Sequence, residues 1–194
     1  MNITIFGGSF NPPTLGHQIV MEQIFKLKLI PKLDQIWLLP EFEHSFAKNQ
    51  VLVDARHRLA MTQFLLRPKV KLQTCCLDRH MSGNTIDHVT LLKKIYPQHR
   101  FSFLMGSDNL KSFDVWPKWQ RLLKLMTFYI YPREGFAFKP LYPGMKPLTH
   151  PQQVITNIAS TMVREKIRSG KNWEDLMPAK VADYIRQKRL FLRA

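Results

Sequence analysis

Two short stretches near opposite ends of the chain carry residue types suited to phosphate chemistry. The first is Gly7-Gly8-Ser9-Phe10-Asn11-Pro12-Pro13-Thr14-Leu15-Gly16-His17. Paired glycines let a backbone turn sharply and come close to a ligand. A helix predicted to open at Thr14 presents free N–H groups and the positive end of its dipole, which favours a phosphate. Thr14 and His17 are three residues apart, so on that helix they share a face and can point a hydroxyl and an imidazole at one phosphate. The second stretch is Ile158-Ala159-Ser160-Thr161-Met162-Val163-Arg164. Here Ser160 and Thr161 are placed to cap a helix, and Arg164, one turn on, returns to the same neighbourhood. Hydroxyls, helix N–H groups and a guanidinium suit triphosphate oxygens. Donors aimed at developing negative charge are what transfer of a phosphoryl group requires. Each stretch alone also has a plain structural explanation: a capped glycine turn with an idle histidine, or a capped helix with a surface arginine. A third segment, Gly106-Ser107-Asp108-Asn109-Leu110 with Trp116 and Trp119 beyond it, combines a close-approach glycine with a carboxylate fit for ribose hydroxyls or a helix cap.

These residues need a frame to hold them. Asn2 to Phe6 alternates and includes three β-branched residues, so it reads as a short buried strand. A helical pattern runs from Thr14 to Leu27 and ends before Pro31. Further strands are predicted at Gln35–Leu39, Val70–Leu77, Phe101–Met105 and Thr127–Tyr131, with a last short one at Val154–Thr156. Helices are predicted from Asp54 to Leu65, Thr85 to Tyr96 and Asp108 to Leu125 (interrupted at Pro117), then Ser160 to Arg168 and Pro178 to Lys188. Residues 133–151 hold several prolines and read as a long loop. Strands alternating with helices imply βαβ units, hence an α/β fold: a Rossmann-like parallel sheet with helices on both faces. Ligands in such sheets sit at the carboxyl ends of the strands, near the point where strand order reverses. The expectation is one domain spanning residues 1–194.

Composition narrows the class. Of 194 residues, 45% are hydrophobic and 22% charged, as expected of a globular domain. No apolar run approaches the length of a membrane span. The two cysteines, Cys75 and Cys76, are adjacent in an apolar stretch and read as buried thiols of a reducing compartment, pointing to the cytoplasm. The formal charge of +15 suits a polyanionic ligand, either nucleic acid or phosphorylated small molecules. No clustered carboxylates or Cys/His set predicts a protein-held metal.

The run GGSFNPPTLGH resembles the signature of the H/T-x-G-H nucleotidyltransferase superfamily. Within it the chain is most similar to bacterial-type nicotinate (nicotinamide) mononucleotide adenylyltransferases. Their usual motif has histidine where this chain has Thr14; threonine there is familiar in the related phosphopantetheine adenylyltransferases. Residues 158–164 resemble the I-S-S-T-x-I-R motif, with Ala159 in place of the first serine. Residues 106–116 resemble the segment G-[AS]-D-N-L…W, and Arg133-Glu134-Gly135-Phe136 resembles R-P-G-Y.

The resemblance implies transfer of AMP from ATP to a pyridine mononucleotide, by in-line attack of the 5′-phosphate on the α-phosphorus. It implies catalytic roles for His17, Thr14 and Arg164. The ATP site would comprise Gly7, Gly8, Ser9, Phe10, Gly16, Gly106, Asp108, Ser160 and Thr161, completed by the C-terminal helices from about residue 158. The mononucleotide would meet Asn11, His44, Lys48, Thr85, Trp116 and Arg133, with Trp116 stacking on the pyridine ring. Mg²⁺ would be bound chiefly through the ATP phosphates. Pro117 follows the stacking tryptophan where the family can use a backbone N–H to hold the nicotinate carboxylate, and proline has none. The resemblance thus implies ATP and a pyridine mononucleotide as partners rather than nucleic acid or membrane. Alternatives are another T-x-G-H transferase, such as a phosphopantetheine adenylyltransferase, or a non-catalytic nucleotide- or RNA-binding relative. No motif specifies an oligomeric state.

Overall fold

The computed structural model describes residues 1–41, 52–81 and 83–192. Six strands, β1 (Asn2–Gly8), β2 (Gln35–Pro40), β3 (Val70–Leu72), β4 (Arg100–Gly106), β5 (Thr127–Tyr131) and β6 (Met145–Pro147), form one sheet in the order β3-β2-β1-β4-β5-β6. Every pairing is parallel. The chain winds outward from β1 to β3, then crosses back to place β4 on the other side of β1. The switch point therefore lies between β1 and β4, and both strands end there in glycine: Gly7-Gly8 and Gly106.

Alternation along the strands divides the core. Ile3 and Ile5, with Trp37, Phe101, Phe103 and Phe128, pack under helices α3 (Thr85–Ile95) and α4 (Trp119–Leu125) and the 3₁₀ segment Ser107–Val115. On the opposite face Ile36, Leu38 and Leu104 pack against Val20, Met21 and Ile24 of α1 (Leu15–Lys26). A third cluster mounts α5 (Ser160–Arg168) and α6 (Ala179–Lys188) on α2 (Ala55–Gln63) through Met61, Val163, Ile167, Val181 and Ile185. Thr4 and Ser102 face the same side across β1 and β4, their hydroxyl oxygens 2.8 Å apart, so each satisfies the other. Among the described residues no helix is long and apolar enough to cross a membrane.

The sequence-based elements differ from the fold in three places. The sixth strand is Met145–Pro147, inside the stretch read as loop, and Val154–Thr156 is not a strand. Pro147 is tolerated because β6 is an edge strand, where a missing N–H need not break a ladder. β3 stops at Leu72, because the chain turns at Thr74, whose hydroxyl donates to Asp78 Oδ2, and buries Cys75 and Cys76 in that turn. Ser107–Val115 forms a tighter 3₁₀ helix, kinked at Ser112.

Candidate active site

A cleft of about 400 Å³ opens at the carboxyl ends of β1 and β4, walled by Gly7 and Gly8, by Gly106 and Asp108, and by the N-terminal ends of α1 and α5. The glycines are needed where they stand. A Cβ on Gly7 would meet the Phe103 ring at 2.8 Å, and one on Gly16 would meet the Ile158 carbonyl oxygen at 2.5 Å. Gly106 lies under the Arg133 side chain, with the Asp108 carboxylate crowding the same space.

His17 lies in the first turn of α1 and lines the cleft. Its Nδ1 accepts the Thr14 backbone N–H at 3.1 Å, and the Thr14 hydroxyl lies 2.9 Å from the same nitrogen. A backbone amide can only donate, so Nδ1 carries no proton and the ring's single hydrogen sits on Nε2. The ring packs beside Phe6 and Phe10, with centroids 5.7 and 5.1 Å away. Burial, then the nearby Arg133 cation, lowers the His17 pKa to about 4. At neutral pH the side chain is therefore an uncharged donor. Thr14 itself is fully buried and does not line the cleft. This corrects the expectation that its hydroxyl points at a phosphate beside the imidazole: the short side chain at the helix cap reaches His17 instead.

The second motif meets the first across the cleft. The Ser160 hydroxyl donates to Pro12 O at 2.7 Å, and Arg164 Nη1 donates to Asn11 O at 2.7 Å. Arg164 Nη2 donates to Thr161 Oγ1 at 3.2 Å. Ser160 and Thr161 do not cap α5 as expected. The cap residue is Ala159, because the Ser160 hydroxyl is committed to Pro12. The N–H groups of the first turn of α5 are thus left to face a ligand. Arg164 Nε is buried and has no hydrogen-bond partner among the described residues. Burial leads, with Arg168 adding, in lowering the Arg164 pKa from its usual value, but a guanidinium stays charged.

The remaining predicted residues divide. Ser9, Phe10, Gly106, Asp108, Thr85, Trp116 and Arg133 all line the cleft. Trp116 packs edge-on to Phe103 and at 5.2 Å from Phe113, leaving part of its ring to the cavity. Arg133 donates to Ile158 O at 3.3 Å and holds the approach to α5. Asn11 borders the cleft while its Oδ1 accepts the Val53 N–H at 3.2 Å. His44 and Lys48 lie outside the described residues. Among the described residues no group of three or more His, Cys, Asp or Glu side chains is arranged to hold a metal.

Two further residues bear on the cleft: Arg58, whose stretch (residues 56–61) resembles the family's H-R-L-A-M helix and reads as structural, and Glu41, which the sequence places only in a loop. Arg58, 1% exposed, donates to Ser9 O and Val53 O at 3.0 Å each and to Glu41 O, so it braces the glycine turn from below. The sequence marks the helix as structural but does not show which carbonyls the guanidinium reaches. Glu41, just after β2, lines the cleft, and burial pushes its carboxyl up to about 7 against the opposing pull of Arg58.

The cytidylyltransferase-like family model matches residues 5–166. The chain is 31% identical over 191 residues to the nicotinate-nucleotide adenylyltransferase of Bacillus subtilis, covering 97% of each protein. It belongs to this nucleotidyltransferase family. Within the family it groups along nearly its whole length with the nicotinate-nucleotide adenylyltransferases. The fold is that of the Plasmodium falciparum nicotinic acid mononucleotide adenylyltransferase, solved in complexes with NaAD (TM-score 0.80) and with APC (TM-score 0.78). Identity to both is 22%, with 98% of this chain covered and 97% and 96% of theirs.

Glu41 gives the site a pH dependence with a definite sign. Below about 7 its carboxyl is neutral; above, it adds a negative charge to the cleft. The KM for ATP is therefore expected to rise as pH passes through 7, and Glu41→Gln should remove that step. Steady-state kinetics of both proteins from acid to mildly basic pH check this; an identical step in the variant would contradict it.

Proposed function

We propose that this chain transfers AMP from ATP to nicotinate mononucleotide, forming the dinucleotide of NAD biosynthesis and releasing pyrophosphate. The observation that carries the proposal is the convergence of two helix N-termini, α1 with a neutral Nε2–H donor and α5 with the Arg164 guanidinium, on one cleft at the switch point. An oxygen of the mononucleotide 5′-phosphate forms the new bond to the α-phosphorus as the bond to the β-phosphate bridging oxygen breaks. The attacking phosphate is already anionic, so no general base is needed. Catalysis comes from holding two anions in line and stabilising the charge of the transition state.

His17 would donate from Nε2 to a phosphate oxygen of ATP without delivering a proton. Arg164 and the first-turn N–H groups of α5 would hold the phosphates, so the C-terminal helices complete the ATP site. Asp108, beside Gly106, suits the ribose hydroxyls. Mg²⁺ carried on the ATP phosphates would supply charge neutralisation, a setting in which the ion keeps most of its waters and takes few protein ligands. Among the described residues Asp108 is a carboxylate that lines the cleft. Two free, buried cysteines accord with a cytoplasmic enzyme.

Trp116 and Thr85 would take the pyridine end of the mononucleotide. Among the described residues the cationic groups lining the cleft, Arg133 and Arg164, stand on the strand-end and α5 side, and Pro117 offers no N–H beside Trp116. Among the described residues, acid and amide would then be told apart by neutral groups such as the Thr85 hydroxyl. The charge of +15 favours a second reading, a nucleotide- or RNA-binding relative without chemistry.

Incubation with ATP, Mg²⁺ and each mononucleotide, followed by pyrophosphate and dinucleotide measurement, tests the proposal. Product is expected with nicotinate mononucleotide, and measurable product with the amide. Strict rejection of the amide would show that another group does the work of the missing N–H. No product from either, with salt-sensitive RNA binding, would favour the second reading. His17→Ala is expected to lower kcat by about a hundredfold or more, the scale of one lost transition-state donor. Near-normal turnover would remove His17 from its role.

A further inference from the structure

Helix α5 is reached through residues 149–159, a stretch that belongs to no strand. Its Val154 and Ile155 side chains do not anchor it, being 60% and 52% exposed. Yet the position of α5 must be held closely, because the Ile158 carbonyl touches Gly16 and Arg164 reaches back to Asn11.

Gln23 supplies the anchor. It lies on α1, six residues beyond His17, and is 8% exposed. Its Oε1 accepts the Val154 N–H at 2.6 Å, and its Nε2 donates to Val154 O at 3.0 Å and to Tyr131 Oη at 2.8 Å. The Tyr131 hydroxyl in turn donates to Val154 O at 3.1 Å. Both donor hydrogens of the carboxamide are used, and its oxygen accepts one bond. It pairs with one residue of the passing chain as a neighbouring strand would. The reversed amide would set an NH₂ against the Val154 N–H, so one orientation alone satisfies the network. From this clamp the chain runs four residues to Ile158, whose carbonyl Arg133 holds, and then to Ser160 on Pro12.

We infer that Gln23, with Tyr131 as its partner, is a positioning residue for the phosphate cradle of α5, joining the helix that carries His17 to the one that carries Arg164. The inference rests on the adenylyl-transfer reading. Gln23 does not line the cleft, so its effect passes through the backbone of residues 154–160.

The test compares Gln23→Leu, which removes the clamp, and Tyr131→Phe, which removes one hydroxyl, with Ile24→Val, which trims the adjacent core and leaves the clamp intact. Calorimetry with ATP alone, kinetics with both substrates and thermal melts are measured. Gln23→Leu is expected to weaken ATP binding and raise its KM about tenfold, the scale of one or two neutral hydrogen bonds. The mononucleotide KM should stay near wild type. Tyr131→Phe should give a smaller shift in the same direction; because the Tyr131 ring itself borders the cleft, Gln23→Met, close to glutamine in shape but without its carboxamide, decides the matter if Gln23→Leu does not fold. Ile24→Val should lower the melting temperature without changing ATP affinity. Unchanged ATP affinity in both clamp variants, or equal losses for both substrates, would overturn the inference. Wild-type protein that binds ATP but makes no dinucleotide would refute the adenylyl-transfer reading, while the ATP affinities would still judge Gln23.

Discussion

The hydrogen bond from the Thr14 backbone N–H to His17 Nδ1 determines what the rest of the cleft can do. It occupies the nitrogen that faces into the helix and leaves the proton on the other. It also satisfies one of the orphan amides of the helix N-terminus. Burial of the ring and the charge of Arg133 then keep the imidazole neutral. A neutral donor stabilises developing negative charge without committing a proton, which suits a reaction whose nucleophile is already an anion. The Thr14 hydroxyl joins the same nitrogen, so the altered first position of the motif supports the second.

Such a donor is useful only if the N-terminal end of α5 opposite it is held in register. The two motifs lie more than 140 residues apart in sequence, and the contacts that join them are mostly side chains bonded to backbone carbonyls. Ser160 reaches Pro12, Arg164 reaches Asn11, and Arg133 reaches Ile158. At Gly16 the backbone of the second motif comes so close that no side chain fits. The parallel sheet makes this economical, because it brings the glycine ends of β1 and β4 to one rim and leaves α1 and α5 free to converge there.

Much of this was legible in the sequence. Strand periods, glycine turns and βαβ alternation specify the sheet, because the alternation at Ile3 and Ile5 or Phe101 and Phe103 is local and strong. The glycine-rich turn and the T-x-G-H run marked one side of the cleft, and the S-T-x-x-R run marked the other. What could not be read depends on partners distant in the chain. Met145–Pro147 pairs as an edge strand only because β5 offers its edge. Val154 has strand-like residues around it, but its backbone groups go to Gln23. Ser160 looks like a cap until Pro12 O takes its hydroxyl. Thr14 looks like a phosphate ligand until its burial and the imidazole beside it are seen. Glu41 and Arg58 are ordinary in sequence and acquire meaning from burial alone.

The central claim, a neutral His17 with its proton on Nε2, is open to direct measurement by ¹⁵N NMR of the imidazole nitrogens as pH is varied, with His17→Ala used for assignment. The account predicts an unprotonated Nδ1, a protonated Nε2 and no titration until the pH falls to about 4. A His17 that gains charge near its ordinary value of 6.5, or carries its proton on Nδ1, would contradict it.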